Sequence, residues 1–371
     1  MLSLILDAMG GDHGPKSILE GAVLALPELS RSKGELLILG DEAVLRPLLA
    51  KRRFKFLADH MGEGSSFRVG LVHAAQTIDM EDSIRAIRSK PNATINVGCE
   101  MAGQSYRASK AGTTQPAAFI SAGHSGAVMA SALIQIGRLP QVERPAIAVK
   151  LPTLNQDGCV LLDVGANVDC KPEHLRDFAV MGAIYAQVER TKTTPPRVAL
   201  LSNGEERKKG NELTRAAATL IENLPCFQNS SQAVGEFTGY AEGKEIFRGK
   251  VDAVVTDGFV GNVVLKSLEG LGSAVVSILK TEAKRNPFTS IGFLLAAGVF
   301  ARFKKRLDYA EYGAAPLLGV AGYVFICHGR SNPRAIQNAL LRARSAIQTR
   351  YVERLEEALS ETKSASGSPL P

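Results

Sequence analysis

The stretch LSLILDAMGGDHGP, residues 2–15, gives the strongest indication of the fold of this chain. It contains an apolar run that lacks polar alternation, which is typical of a strand buried on both faces of a parallel sheet. The turn that follows contains Asp7, Gly10, Gly11, Asp12, His13 and Gly14. Loops at the carboxyl ends of parallel strands often hold ligands, and glycine lets the backbone approach them closely. The turn is therefore a candidate binding site.

The rest of the chain repeats this alternation of apolar strands and helical stretches. Strands are predicted at residues 2–6, 36–39, 67–72, 117–121, 146–150, 160–163, 198–201 and 251–256. Helices are predicted at residues 16–26, 126–138, 172–189, 211–223, 262–280 and 333–359. Such an alternation predicts an α/β fold around a largely parallel sheet.

The composition is typical of a globular protein, because 45% of the 371 residues are hydrophobic. The net charge of +7 favours either the binding of an acidic partner or solubility of the protein alone. The chain has five widely spaced cysteines and no CxxC pair, so we expect neither a zinc site nor disulfides, and a reducing cytoplasm is favoured. We expect no secretory leader, and no membrane span because no apolar run approaches roughly 20 residues.

Four further apolar runs are followed by similar polar turns, at residues 121–126, 163–169, 202–211 and 257–262. The candidate binding residues in these turns are His124, Ser125, Asn167, Asn211 and Asp257. One such turn needs no ligand to explain it, because Gly, Asn and Asp are ordinary turn residues. Five of them at the ends of parallel strands predict one shared crevice. Its amide, imidazole and ammonium donors, and the helix N-termini expected there, favour an anionic ligand.

Several common catalytic motifs do not occur in the sequence. There is no GxGxxG after the first strand, no GxxxxGK(S/T), no HExxH and no GxSxG, which weakens nicotinamide, nucleoside-triphosphate, zinc-protease and serine-hydrolase interpretations. The six histidines show no metal-ligand spacing, and we expect no metal. His13 and His124 are the two that a functional test should address.

The chain contains, in this order, LDAMGGDHGP, ISAGHSGAVMA, LLDVGANVDCKPEHL, EERKKGNELT and VTDGFVGNVVLK. Together with EYGAAPLLG at 311–319 and HGRSN at 328–332, these segments resemble the bacterial phosphate acyltransferase family (PlsX). The resemblance extends from residue 2 to about residue 346. Residues 1–346 would form the catalytic domain, followed by the end of the last helix at 347–360 and a disordered tail at 361–371.

The resemblance implies a homodimer with a three-layer α/β/α fold similar to those of isopropylmalate dehydrogenases and phosphotransacetylases. It implies transfer of a long-chain fatty acyl group from acyl carrier protein to inorganic phosphate, without a cofactor. The acyl phosphate would supply a glycerol-3-phosphate acyltransferase in phospholipid synthesis. In this family a Lys of the KKGN stretch and the Asn of the GFxGN stretch are implicated in catalysis, which here are Lys209 and Asn262. Phosphate itself would be the nucleophile, so no nucleophilic serine or cysteine is required.

The chain also departs from the family pattern. His124 and Ser125 stand where the family usually has Asn and Thr, so that a titrating side chain replaces an uncharged amide. Residues 90–94 and 102–114 differ as well. Two alternatives stay open: a phosphotransacetylase that uses a short acyl-coenzyme A, and a catalytically silent membrane scaffold that binds acyl carrier protein.

The sequence IGFLLAAGVFARFKKRL, residues 291–307, predicts an amphipathic helix. Its apolar face comprises Phe293, Ala296, Val299, Phe300, Phe303 and Leu307, and its basic face comprises Arg302, Lys305 and Arg306. Such a helix suits an anionic membrane interface, whereas a subunit contact within residues 283–308 is the alternative. The membrane-surface association of the family favours the first interpretation. We therefore expect a cytoplasmic protein that is peripherally associated with the inner face of the cell membrane.

Overall fold

The computed structural model describes residues 2–62, 65–190, 194–228, 233–307 and 313–366, apart from the side chains of 304–307 and 362–366. The strands within these residues are β1 (Leu2–Asp7), β2 (Gly34–Gly40), β3 (Phe67–His73), β4 (Ala117–Ser121), β5 (Ala146–Leu151), β6 (Cys159–Leu162), β7 (Arg197–Leu201), β8 (Glu236–Ala241), β9 (Ala253–Val255), β10 (Ala314–Leu318) and β11 (Tyr323–Cys327). The α-helices are α1 (Lys16–Leu29), α2 (Glu42–Leu49), α3 (Lys55–Asp59), α4 (Ala86–Ser89), α5 (Thr94–Lys110), α6 (Ser125–Gln135), α7 (Pro172–Glu189), α8 (Glu212–Glu222), α9 (Glu245–Arg248), α10 (Gly258–Ala283), α11 (Pro287–Leu295), α12 (Ala297–Leu307), α13 (Pro333–Thr349) and α14 (Tyr351–Ser366).

The strands form one sheet in the order β3-β2-β1-β4-β11-β10-β5-β6-β9-β7-β8. Neighbouring strands from β3 to β11 in this order are parallel. The strands from β6 to β8 are also parallel to one another. Between these groups, β10 is antiparallel to both β11 and β5, and β5 is antiparallel to β6. These successive reversals make the two parallel groups run in opposite directions.

The reversals divide the predicted ligand loops into two sets. The carboxyl ends of β1, β4 and β11 point to one end of the strands, and we call that end of the sheet the β1 edge. The carboxyl ends of β6, β7 and β9 point the opposite way along the strands, and we call this other end of the sheet the β9 edge. The expectation of one shared crevice assumed that all the strands run in the same direction, which they do not, and the crevice itself stays a prediction.

Helices cover both faces of the sheet. On one face, α1, α7 and α13 pack on the alternate side chains that include Leu4 and Leu6 of β1. On the other face, α5 and α6 pack against the cluster that includes Ile5 of β1. Close approach requires small residues at some of these contacts, since a Cβ on Gly98 of α5 would lie 2.1 Å from the ring of Phe119. The predicted three-layer α/β/α fold is confirmed.

Most predicted elements occur in the structure, with some changes at their ends. Helix α7 has the predicted bounds, whereas α10 begins four residues earlier than predicted because the Asp257 carboxylate accepts the backbone N–H of Val260 at 2.9 Å and caps the helix. The predicted helix at 333–359 is divided by Arg350, whose φ of 53° ends α13. Helix α14 continues to residue 366, beyond the expected start of the tail at 361, and residues 367–371 lie outside the described part of the chain.

The three helices α10, α11 and α12 form a largely exposed segment, which we call the arm. The predicted single helix at 291–307 is wrong, because α11 ends at Leu295 and α12 begins at Ala297. The rings of Phe293 and Phe300 stack across this break, with centroids 3.7 Å apart. By length and composition alone, α10 could cross a membrane, so the expectation that no segment approaches such a length is also wrong.

His124 begins helix α6. Its Nδ1 accepts the backbone N–H of Ala127 at 3.2 Å, which is the role that Asn often performs at a helix N-cap. The imidazole therefore replaces the amide usual in the family without loss of the cap. It can do so only while Nδ1 carries no proton, because a protonated imidazole has no acceptor.

We expect His124→Ala to lower the free energy of unfolding by about 1 kcal/mol, because it removes the side-chain acceptor that caps α6. His124→Asn should retain the stability of the wild type, since asparagine is itself a preferred N-cap residue.

Unfolding followed by circular dichroism measures this difference. His124→Asn serves as the control, because it changes the same side chain but keeps a cap. Equal stability of the wild type and His124→Ala would contradict the capping role.

Candidate active site

At the β1 edge, Asp7 holds two strand ends together. Its buried carboxylate accepts the backbone N–H groups of Met9 and Gly10 at 3.0 and 3.2 Å, and the hydroxyl of Ser121 at 2.7 Å. Burial raises the pKa of Asp7, while these hydrogen bonds act in the opposite direction. Asp7 thus organises the turn after β1 and joins it to β4.

Glycines bring three loops of the β1 edge into backbone contact. A Cβ on Gly10 would lie 2.6 Å from the backbone nitrogen of Gly123 in the loop after β4. Gly11, with φ of 87°, lies against the loop after β11, where the backbone N–H of Asp12 donates to the carbonyl of Gly329 at 2.8 Å. The predicted proximity of the loops after β1 and β4 is therefore found, with the loop after β11 added.

The remaining candidates of the β1 edge lie at its surface. Asp12, His13 and Ser125 are exposed, and Arg330 approaches the Asp12 carboxylate at 3.9 Å. Their contact with a ligand stays a prediction.

The sequence-based candidates do not include His328, which follows β11. Its Nδ1 accepts the backbone N–H of Arg330 at 3.1 Å. Burial lowers the pKa of His328, and the charge of Lys266 on α10 lowers it further. The signal available in the sequence is the apolar run YVFIC before HGRSN, which repeats the pattern of the other strand ends.

At the β9 edge, Asp163 organises the turn after β6. Its Oδ1 accepts the backbone N–H groups of Ile147, Gly165 and Ala166 at 3.0, 3.3 and 3.0 Å. Its Oδ2 accepts the backbone N–H and the side-chain amide of Asn167 at 2.6 and 2.9 Å. Burial raises the pKa of this carboxyl group, while the N–H donors act in the opposite direction.

Three of the predicted binding residues at this edge have structural partners. The side-chain amide of Asn167 donates to Asp163 and also to the carbonyl of Pro145 at 2.7 Å, which uses both of its N–H groups. Asp257 caps α10, as described above. Asn211 caps α8, because its side chain accepts the backbone N–H of Thr214 at 2.9 Å. These residues shape the edge, and their direct contact with phosphate stays a prediction.

Lys209 and Asn262 lie in the loops that follow two adjacent strands. Lys209 is in the loop after β7, Asn262 is in the second turn of α10 after β9, and β7 pairs directly with β9. The Asn262 side chain is exposed and lies beside Gly165, where an added Cβ would be 3.8 Å from the Asn262 Oδ1. The reversal of strand direction therefore keeps these two residues at the same edge.

The Lys209 ammonium is half exposed and lies near carboxylates. Its Nζ is 4.0 Å from the carboxylate of Glu206. The pKa of Glu242 is lowered mainly by Lys244 and also by Lys209. Exposed ion pairs of this length contribute little energy, so an anion that enters the edge can compete for the ammonium.

The β9 edge thus combines an exposed ammonium and an exposed amide with the N-termini of α8 and α10. Helix N-termini favour negative charge, and an amide or an ammonium donates to oxyanions. Among the residues that the structure describes, no group of three or more His, Cys, Asp or Glu side chains is arranged to hold a metal ion. The edge has the donors that a phosphate or an oxyanion requires.

Comparison with known proteins gives matches over nearly the whole chain. A family model described as "Fatty acid synthesis protein" matches residues 2–354. A phosphate acyltransferase of a Nitratiruptor species is 40% identical over 361 residues, which cover 96% of this chain and 98% of the relative. A phosphate acyltransferase of Myxococcus xanthus is 45% identical over 343 residues, which cover 91% and 88%.

The fold is similar to that of the EutD phosphotransacetylase from Staphylococcus aureus, with a TM-score of 0.52, 16% identity and 94% of both chains covered. The similarity to phosphotransacetylase folds expected from the sequence is therefore confirmed. The extent of the sequence matches confirms the resemblance on which Lys209 and Asn262 were selected. The chain belongs to the phosphate acyltransferase family, and it is an acyltransferase.

Proposed function

We propose that this acyltransferase transfers a long-chain fatty acyl group from acyl carrier protein to inorganic phosphate at the β9 edge. The observation that carries the proposal is the pair of exposed donors, Lys209 and Asn262, at the ends of adjacent strands. Family membership supports acyl transfer to phosphate as the reaction class. The product would supply the acylation of glycerol 3-phosphate by a separate acyltransferase.

In the proposed reaction, a phosphate oxygen attacks the thioester carbonyl carbon. A C–O bond forms, the C–S bond breaks, and the proton of the hydrogen phosphate passes to the leaving thiol. The phosphate and the tetrahedral oxyanion are the two negative centres that need stabilisation. Lys209 would hold the phosphate as a point charge, and Asn262 would donate its amide to the phosphate or to the oxyanion. The acceptor is itself the nucleophile, so the reaction needs no acyl-enzyme intermediate.

The nature of the acyl donor separates this proposal from its alternatives. With purified protein, phosphate and equal concentrations of palmitoyl-acyl carrier protein and acetyl-coenzyme A, we expect acyl phosphate to form from the carrier protein with kcat/KM at least about tenfold higher. A chelator should not reduce the rate. Trapping the product with hydroxylamine measures both reactions. A preference for acetyl-coenzyme A would favour a phosphotransacetylase, and no product from either donor would favour a silent scaffold.

Lys209→Ala should reduce turnover at least about a hundredfold, which is the range found when one electrostatic stabiliser is removed. Steady-state kinetics with phosphate as the varied substrate measures the change. Lys208→Ala is the matched control, because Lys208 is an exposed lysine of the same loop. Near-normal turnover of Lys209→Ala, or a greater loss in Lys208→Ala, would reject the assignment.

We also propose that the enzyme is a cytoplasmic homodimer whose arm lies on the inner surface of the cell membrane. The first turns of α10 pack on the core through Val264, Leu265 and Leu268, so only residues 269–283 of this helix are left. This length is less than the roughly 20 residues needed for a span, which supports surface contact. Among the described side chains of the arm, the most exposed apolar ones are Leu271, Ile278, Phe288, Leu294 and Leu295.

The basic residues of the arm support an anionic surface as its partner. Arg302 is exposed on α12, and the side chains of Lys305 and Arg306 lie outside the described residues. An apolar surface next to basic residues is the combination that binds anionic lipid interfaces.

Replacing both Leu294 and Leu295 by Asp should reduce binding to vesicles rich in phosphatidylglycerol at least about tenfold, because each buried leucine contributes about 1.5–3 kcal/mol. These residues are 75% and 85% exposed, so the fold and the turnover in solution should be retained. Flotation with vesicles measures the binding. Leu154→Asp is the control, since Leu154 is 75% exposed but lies outside the arm. Unchanged flotation together with loss of the dimer in gel filtration would instead identify a subunit contact.

A further inference from the structure

We propose that Asp163 is a positioning residue for Asn262, which acts through the turn at residues 165–167 and the first turn of α10. This inference rests on the proposed function, in which Asn262 contacts the phosphate or the oxyanion. Asp163 is itself fully buried, so it does not touch the substrate. Its influence on the reaction must pass through the residues that it holds.

The first link is the carboxylate. Two oxygens receive five N–H donors, four of them from the turn itself, as the distances above show. Ionised carboxylates form stronger hydrogen bonds than neutral groups, so this arrangement fixes the turn. An amide in place of the carboxylate would put an NH₂ group against N–H donors.

The second link joins this turn to α10. The backbone N–H of Gly258, the first residue of α10, donates to the carbonyl of Asn167 at 2.7 Å. The helix backbone also lies directly on Asp163, because a Cβ on Gly258 would be 2.7 Å from the Asp163 Oδ2 and a Cβ on Gly261 would be 1.9 Å from its carbonyl oxygen. The position of the first turn is therefore set by Asp163 and Asn167.

The third link is Asn262, which follows Gly261 directly. The Asn262 side chain lies beside the turn at Gly165, where an added Cβ would be 3.8 Å from its Cβ, Cγ and Oδ1. The direction of its amide therefore depends on the placement of the helix. A small shift of the first turn would move the amide away from a bound phosphate, and such misplacement lowers the rate more than it lowers binding.

The chain provides a matched control in Asp7. It is also a fully buried carboxylate at the end of a strand, and it also holds a turn by accepting successive backbone N–H groups. It lies at the opposite edge of the sheet from Asn262. Asp7→Asn and Asp163→Asn therefore make the same chemical change in similar turns. Only the turn of Asp163 contacts the helix that carries Asn262.

A double-mutant cycle with Asn262→Ala tests the inference. Asp163→Asn should lower kcat at least about tenfold while KM for the acyl donor changes less than about threefold. In the Asn262→Ala background, the same substitution should lower kcat less than about twofold, because the group that it positions is already absent. Asp7→Asn should instead have the same effect in both backgrounds. Additive losses for Asp163→Asn, or an unchanged kcat of that variant, would overturn the inference.

A milder variant keeps the inference testable if Asp163→Asn does not fold. Asn167→Ala removes only one of the five donors, and we expect it to lower kcat about threefold in the wild type but not in Asn262→Ala. Circular dichroism and gel filtration establish that each variant is folded. Additivity of Asn167→Ala with Asn262→Ala would overturn the inference even if Asp163→Asn does not fold. The proposed function fails if the wild type makes no acyl phosphate or prefers acetyl-coenzyme A, and both results are distinct from additivity in the cycle.

Discussion

The antiparallel pairing in the middle of the sheet determines which residues of this chain can act together. Because β10 runs against both of its neighbours and β5 runs against β6, the two parallel groups end at opposite edges. Lys209 and Asn262 follow strands of one group, whereas His13 and His124 follow strands of the other. The two residues on which the proposed chemistry rests therefore lie at one edge, and the glycine contacts of the β1 edge shape the fold at the other.

Each edge is organised by the same physical device, a buried carboxylate that ends a strand and accepts the N–H groups of the next residues. Asp7 in LDAMGG and Asp163 in LDVGAN occupy the same place in similar sequences. A buried carboxylate is costly unless its oxygens are satisfied, and in both turns backbone N–H groups supply most of the donors. The polar residues that first indicate a binding site are thus partly the scaffold of that site.

The strands with continuous apolar runs and the helix α7 could be predicted from the sequence, because periodicity and an N-terminal proline are local signals. The antiparallel pair β5–β6 also has a local signal, since residues 152–158 are too few for a parallel crossover. Strand β10 itself was missed because Pro316 obscures it, although residues 319–322 are likewise too few for a parallel crossover to β11. Only its pairing with β5 lacks a local signal, since the two strands lie far apart in the sequence. Lys209 has neighbours at 207 and 208 that are also basic, so it was selected from the family motif and not from its own surroundings.

Helix α10, the first helix of the arm, connects the β9 edge to α11 and α12 through one stiff element of 26 residues, about 39 Å long. Its first turn is held against Asp163, and Val264, Leu265 and Leu268 pack on the core. A bend of about 10° beyond Leu268 would move the far end, about 22 Å away, through roughly 4 Å and would leave Asn262 in place. The exposed far end is thereby mechanically separated from the amide that we propose as a donor to phosphate.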